Sequence, residues 1–322
     1  MSLPRPVIPG STVFSTRRVH KRQLLLRPSP KVNQVVEYIY AVLAERHEVQ
    51  LHALCVMSNH VHDVATDPLG RLPDFQRDAH ALIARHLNAL HRNREALWSC
   101  RPTSRVQCVT AEAIADEIVY TVVNPVAARL VDRCHQWPGA HGAWPAAPRV
   151  IRRPPGFFRS RDDGGKWPDE VTLRFHRPPG FDDVSDIELA RSLKGAIRRR
   201  EDALRTERHQ RGLSLLGRRR VLAQSRYSYP SEPERRSEGV PCVAARSRAA
   251  VVEFLVDRRL WLTAYRTALA GFQIGDRDVV FPYGTFKMRL YCRVACGPPV
   301  QHGGAVRGLI GDGQTAREPR PS

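Results

Sequence analysis

The sequence predicts an α+β fold: a ferredoxin-like, split-βαβ antiparallel sheet with one added helix, followed by a basic, mainly helical C-terminal region. Three observations carry this expectation. Hydrophobic periodicity switches between the period of a strand and that of a helix in the order β-α-β-β-α-β across residues 11–109. A capped helix follows immediately, and beyond Gly139 the composition turns to Pro, Gly and Arg.

Residues Ser11 to Val19 mix β-branched and polar side chains, as a strand does. From Lys31 to about His47, Val32, Val35, Val36, Ile39, Tyr40 and Leu43 recur at helical spacing. Val49 to Met57 is strand-like, and Ser58-Asn59 is a turn from which the chain returns through His60 to Ala65, giving a hairpin. A second helix runs from about Pro73 to Arg92 with its apolar stripe at Ala79, Leu82, Ile83, His86, Leu87 and Leu90. Ser104 to Val109 forms a fourth strand, and Thr110 caps the added helix. By composition the chain divides into 11–138, a linker or extended arm at 139–184, a basic helical region at 185–296, and a Gly-rich polar tail at 297–322 expected to be disordered. Helices are expected from Asp186 to about His209 and from Arg246 to Phe272.

The chain carries 51 Lys+Arg against 32 Asp+Glu, a formal charge of +19. A surplus of that size suits a polyanionic partner, and nucleic acid is the expectation. Arg198, Arg199, Arg200, Arg218, Arg219 and Arg220 form its two densest runs. No apolar run approaches the roughly 20 residues that span a bilayer, and Met1 to Pro6 lacks the apolar core of a secretion signal, so a cytoplasmic location is expected. Seven cysteines without paired spacing argue against a disulfide scaffold and against a zinc site.

Candidate chemistry gathers on three segments. Residues two apart on a strand face one side, so His60 and His62 present two imidazoles together, a workable but incomplete ligand pair for a divalent ion. On the added helix, Ile114, Ala115, Ile118, Val119 and Val122 cluster on one side. Tyr120 falls instead among Asp116, Glu117 and Asn124, one turn before Asn124 and away from the packing side. Pro125 disfavours helical geometry at Asn124, so a bend or break is expected there. A phenol is a weak nucleophile at neutral pH, and a divalent ion that withdraws charge from a phosphodiester would make its attack feasible.

Val56-Met57-Ser58-Asn59-His60-Val61-His62 resembles the His-hydrophobic-His motif of the IS200/IS605-type single-tyrosine transposases. Tyr120 to Val131, with Asn124-Pro125-Val126, looks like the tyrosine helix of their REP-associated tyrosine transposase branch. The resemblance covers about Val13 to Gly139. It implies a ferredoxin-like catalytic domain that uses Mg²⁺ or Mn²⁺, cleaves single-stranded DNA beside a hairpin, and leaves a 5′-phosphotyrosine and a free 3′-hydroxyl. It further implies metal ligation by His60, His62 and Asn124, nucleophilic attack by Tyr120, and a role in DNA transposition as a monomer or homodimer. Asp63 departs from the pattern, since relatives carry an apolar residue there. Alternation turns Asp63 into the layer where Val61 packs, which calls for a basic partner, a frayed strand, or a copy that has decayed into a hairpin DNA-binding protein.

Overall fold

The computed structural model describes residues 3–157, 167–230 and 241–299. Its elements in chain order begin with β1 (Ser11–Arg18), α1 (Pro30–His47), β2 (Gln50–Val56), β3 (His60–Asp67), α2 (Leu72–His91), β4 (Ser104–Cys108) and α3 (Ala111–Ala127). They continue with β5 (His141–Ala143), β6 (Arg149–Arg152), β7 (Glu170–Leu173), α4 (Asp186–Gln210), α5 (Arg218–Ala223), β8 (Val243–Ala244), α6 (Arg248–Gln273) and α7 (Lys287–Cys292). Strands β2, β3, β1 and β4 lie side by side in that order with antiparallel neighbours. The α1 crossover therefore joins β1 to β2 with β3 between them, which is the split-βαβ arrangement of a ferredoxin-like sheet. Two short strands extend the edges, β5 beside β2 and β8 parallel to β4.

Local chemistry explains the ends of the elements. Ser29 accepts a hydrogen bond from the Val32 N–H and Pro30 opens α1. Thr110 caps α3 as its position suggests, accepting from the Ala113 N–H. Alternation then assigns each strand residue to a layer. Val61 and Ala65 of β3 join the core formed with α1 and α2, while Val64 and Phe14 join the core formed with α3 and α4.

Three features differ from expectation. Residues 139–184 carry β5, β6 and β7, and the β6–β7 hairpin packs on α1. Their Pro and Gly content hides three short strands, β5 pairing with the distant β2 and β6 pairing with β7. Next, α3 continues through Pro125 to Ala127 instead of ending at Asn124. The proline sits in the last turn, where only one helical hydrogen bond is lost, and its own carbonyl accepts from Leu130 N at 3.0 Å. Lastly, the pairing of β2 with β3 slips between Leu51 and Ala53, making His52 a bulge residue. The tail from 300 onward lies outside the described residues.

His52 fastens the bulge to the segment that follows β7. Its Nδ1 donates to the His176 carbonyl at 2.9 Å, and its Nε2 accepts from the Thr66 hydroxyl at 2.7 Å. Burial pushes its pKa down to about 4, against the pull of the His176 hydrogen bond. Because the folded value lies below the unfolded one, this stability is present above about pH 6.5 and is lost as pH falls toward 4. Urea unfolding at pH 7 and pH 4 is expected to show wild type losing on the order of 3 kcal/mol more than His52→Gln. An equal loss in both proteins would contradict this account of the bulge.

Candidate active site

Register places the histidines. Thr16 of β1 stands opposite His62 and Arg18 opposite His60, so both imidazoles rise from the central strands toward α3. Their ring centroids are 4.5 Å apart at an interplanar angle of 80°, and both rings are buried. His60 Nδ1 lies 2.6 Å from Asn59 Oδ1, which can only accept, so Nδ1 carries the proton. His62 Nδ1 lies 2.9 Å from the Thr16 hydroxyl, and a hydrogen bond to the Ser15 backbone also favours a proton on that ring.

Burial, and then the nearby Arg18 charge, push His60 down to about 3, with the Asn124 side chain opposing. His62 is driven well below its ordinary value by burial, by His60 and by Arg18. Both rings are therefore neutral at physiological pH and turn a bare Nε2 lone pair into the interior. Neither Nε2 has a hydrogen-bond partner, and neither does Asn124 Oδ1. Leaving such atoms buried and unpaired costs about 1–3 kcal/mol each. Three acceptors of this kind, on one strand and one facing helix, form a donor set that suits a divalent cation.

Tyr120 joins them from α3. Its ring meets His62 edge-on at 5.6 Å and Phe14 edge-on at 5.5 Å, while Phe14 stacks on His62 at 5.3 Å. The structure thus brings His60, His62, Asn124 and Tyr120 together. It corrects the view that the Tyr120 side of α3 is turned away from packing. Glu117 and Asn124 are buried, Tyr120 is half-buried, and Asp116 is at the surface, where Arg246 grips it at 2.7 and 2.9 Å. Since α3 lies between the sheet and α4, polar residues on this side face the interior.

Sequence reasoning missed Phe14, Thr16 and Asn59. Phe14 packs against both Tyr120 and His62, and Asn59 and Thr16 engage the Nδ1 atoms of His60 and His62. Asn59 was visible as a turn residue beside His60, but nothing local marks Thr16 or Phe14.

Asp63 is accommodated without the frayed strand or the ion pair expected of it. The strand neither frays nor breaks, and the carboxyl makes no ion pair among the described residues. The Tyr40 hydroxyl donates to Asp63 Oδ2 at 3.2 Å, while Oδ1 is without a hydrogen bond. Burial pushes the pKa up to about 7, with Tyr40, Ser15 and the Arg105 charge pulling it down. A carboxyl titrating near neutrality avoids most of the cost of a fully ionised buried group.

The basic runs are far more open. Arg198 and Arg199 on α4 are exposed and Arg200 is partly so; Arg218, Arg219 and Arg220 open α5 and are exposed. None of the six makes an ion pair among the described residues. No group of three or more His, Cys, Asp or Glu suited to a metal is found among the described residues. No described helix is long and apolar enough to cross a membrane.

The fold is thus of the mixed α+β class, with a six-stranded sheet around a ferredoxin-like centre. Among solved structures, the chain is similar to a REP-associated tyrosine transposase bound to a REP hairpin, at 18% identity and a TM-score of 0.37. That match covers 43% of this chain and 81% of the other. A second match, at 19% identity and a TM-score of 0.26, is to a protein of Deinococcus radiodurans R1 described as a candidate transposase, and covers 33% and 85%. No protein-family model and no curated protein matches the sequence. Likenesses this remote bear on neither activity nor residue roles.

Tyr40→Phe should destabilise the protein by about 1–2 kcal/mol through the lost hydrogen bond to Asp63. The loss should be larger at pH 8 than at pH 5, because the ionised carboxylate needs the donor more than the neutral acid does. Denaturant unfolding at the two pH values checks both size and sign.

Proposed function

We propose that the chain is a DNA endonuclease and strand transferase of the single-tyrosine transposase type, cutting single-stranded DNA beside a hairpin in DNA transposition. The observation that carries this reading is the set of bare acceptors, His60 Nε2, His62 Nε2 and Asn124 Oδ1, beside the half-buried Tyr120. His60, His62 and Asn124 would hold Mg²⁺ or Mn²⁺, whose chemistry here is to withdraw charge from a phosphodiester.

The protein's own groups do the rest. Asn59 and Thr16 keep each Nδ1 engaged, so that Nε2 stays available as a donor atom. Phe14 limits the rotation of the Tyr120 ring and holds it against His62. In the reaction the phenol oxygen bonds to phosphorus and the P–O3′ bond breaks. The proton lost by the phenol balances the one gained by the departing 3′-oxygen, leaving a 5′-phosphotyrosine and a 3′-hydroxyl. The exposed arginines of α4 and α5 supply positive surface for the strand backbone.

Incubation with hairpin-bearing single-stranded DNA and Mg²⁺ or Mn²⁺ is expected to yield a covalent protein–DNA adduct, absent in Tyr120→Phe. Salt-sensitive hairpin binding without any adduct, unaltered by Tyr120→Phe and independent of metal, would instead identify a hairpin-binding descendant that no longer cuts. The ligand set has its own readout. His60→Ala is expected to abolish Mn²⁺ binding in calorimetry, and Asn59→Leu to weaken it by roughly ten- to a hundred-fold. Unchanged Mn²⁺ affinity in both variants would remove the metal from the proposal.

A further inference from the structure

A cavity of about 60 Å³ lies at the other end of the central strands. It sits between the N-terminal arm, β1, β4, the start of α2 and α6. The arm is clamped on both sides, with Val7 N donating to the Gly284 carbonyl at 2.9 Å and Gly10 N to the Asp67 carbonyl at 2.7 Å. Gly284 adopts φ +82°, and a Cβ there would fall 2.6 Å from Ile8 Cδ1, so the close seat of the arm depends on this glycine.

Charge in the cavity is unbalanced. Arg5, Arg105 and Arg258 line it, and Asp67 is the one carboxylate among its lining residues. Asp67 is already engaged, accepting from the N–H groups of Arg71 at 2.7 Å and Leu72 at 2.8 Å. Arg105 is held in place by its Nε, which donates to Gln76 Oε1 at 2.6 Å, while Gln76 donates to Ser15 Oγ at 2.7 Å. Arg5 spends one N–H on the Arg105 carbonyl at 3.1 Å. No other hydrogen bond of these side chains, and no ion pair of any of the three, is formed among the described residues. Burial and then Arg258 lower the Arg5 pKa, and burial and then Arg5 bring Arg105 down to about 10. Asp63 and Asp67 offset part of the Arg105 charge, yet three guanidinium groups still share a partly buried space with one lining carboxylate, an excess of positive charge that an anion would relieve.

We propose that this cavity is a binding site for a phosphate group, presented as free phosphate or as the phosphate of a nucleotide. Guanidinium forks match tetrahedral oxyanions in geometry and in charge. A single water needs about 10–15 Å³ of such space, so the cavity admits several waters or one oxyanion. Phe254, Val13 and Leu72 supply an apolar wall against which the carbon portion of a nucleotide can lie. The site is separate from the histidine site. Ser11 lines the cavity and Arg18 stands opposite His60, which puts roughly 23 Å of strand between them. Ser15, Arg105 and Asp67 belong to the α1–α2 face of the sheet and the histidines to the α3 face.

The test is calorimetric titration of the whole protein with inorganic phosphate and, separately, with deoxyadenosine 5′-monophosphate. One saturable equivalent is expected, weakened about tenfold or more in Arg258→Gln and in Arg5→Gln, weakened less in Arg258→Lys, and retained in Tyr120→Phe. Circular dichroism establishes that each variant is folded, and phosphate should raise the melting temperature of wild type and of Tyr120→Phe but not of the two Gln variants. Equal affinity for the two probes assigns the site to free phosphate, and tighter nucleotide binding assigns it to a nucleotide. Absence of saturable binding at millimolar concentrations, or binding unchanged in the Arg5→Gln/Arg258→Gln double variant, overturns the proposal. Because Tyr120→Phe keeps the phosphate site, failure here and failure of the nuclease reading are separate results.

Discussion

The pairing of β1 with β3 governs most of what this molecule can do. These are the two central strands, and their register sets Thr16 against His62, Ser15 against Asp63 and Arg18 against His60. A slip of one residue would exchange the two faces, carrying the imidazoles into the apolar layer under α1 and Asp63 toward α3. The apolar residues guard against that slip. Val61 and Ala65 belong to one core and Val64 to the other, so a shifted register would disturb both at once.

Much of the central fold was legible because it rests on local periodicity. The six elements from Ser11 to Cys108 and the cap at Thr110 follow from apolar spacing and turn chemistry. The short edge strands did not show, since β5 and β8 comprise only three and two residues and owe their geometry to the strands they join. The bulge at His52 escaped for a related reason: alternation through Leu51 to Val56 looks unbroken until the partner strand is known. Of the site, the pair His60–His62 and the turn-spaced Tyr120 and Asn124 could be read directly. The buried character of that side of α3 could not, because it depends on α4, which comes some sixty residues later in the chain.

That later helix is part of the support for the site. Glu201 of α4 is buried and accepts from the Cys134 N–H at 2.6 Å and from Arg133 at 3.1 Å. Arg205 and Arg208 reach Asp132 at 3.0 and 2.9 Å. These contacts tie the segment leaving α3 to α4, so the last turn of α3, which carries Asn124, is fixed from both sides. A partly buried network of this kind couples its members, and losing one charge strands the others.

Asp63 carries a consequence for how this sequence can change. The carboxyl has been fitted into a pocket that includes the Tyr40 hydroxyl of α1 and the Ser15 hydroxyl of β1. Placing an apolar side chain at this one position would leave the Tyr40 hydroxyl buried without its acceptor. Replacing Tyr40 alone would leave the carboxyl without its donor. Each single step is costly while the two together are tolerable, so the position is entrenched, and a change to an apolar residue must pass through a less stable protein.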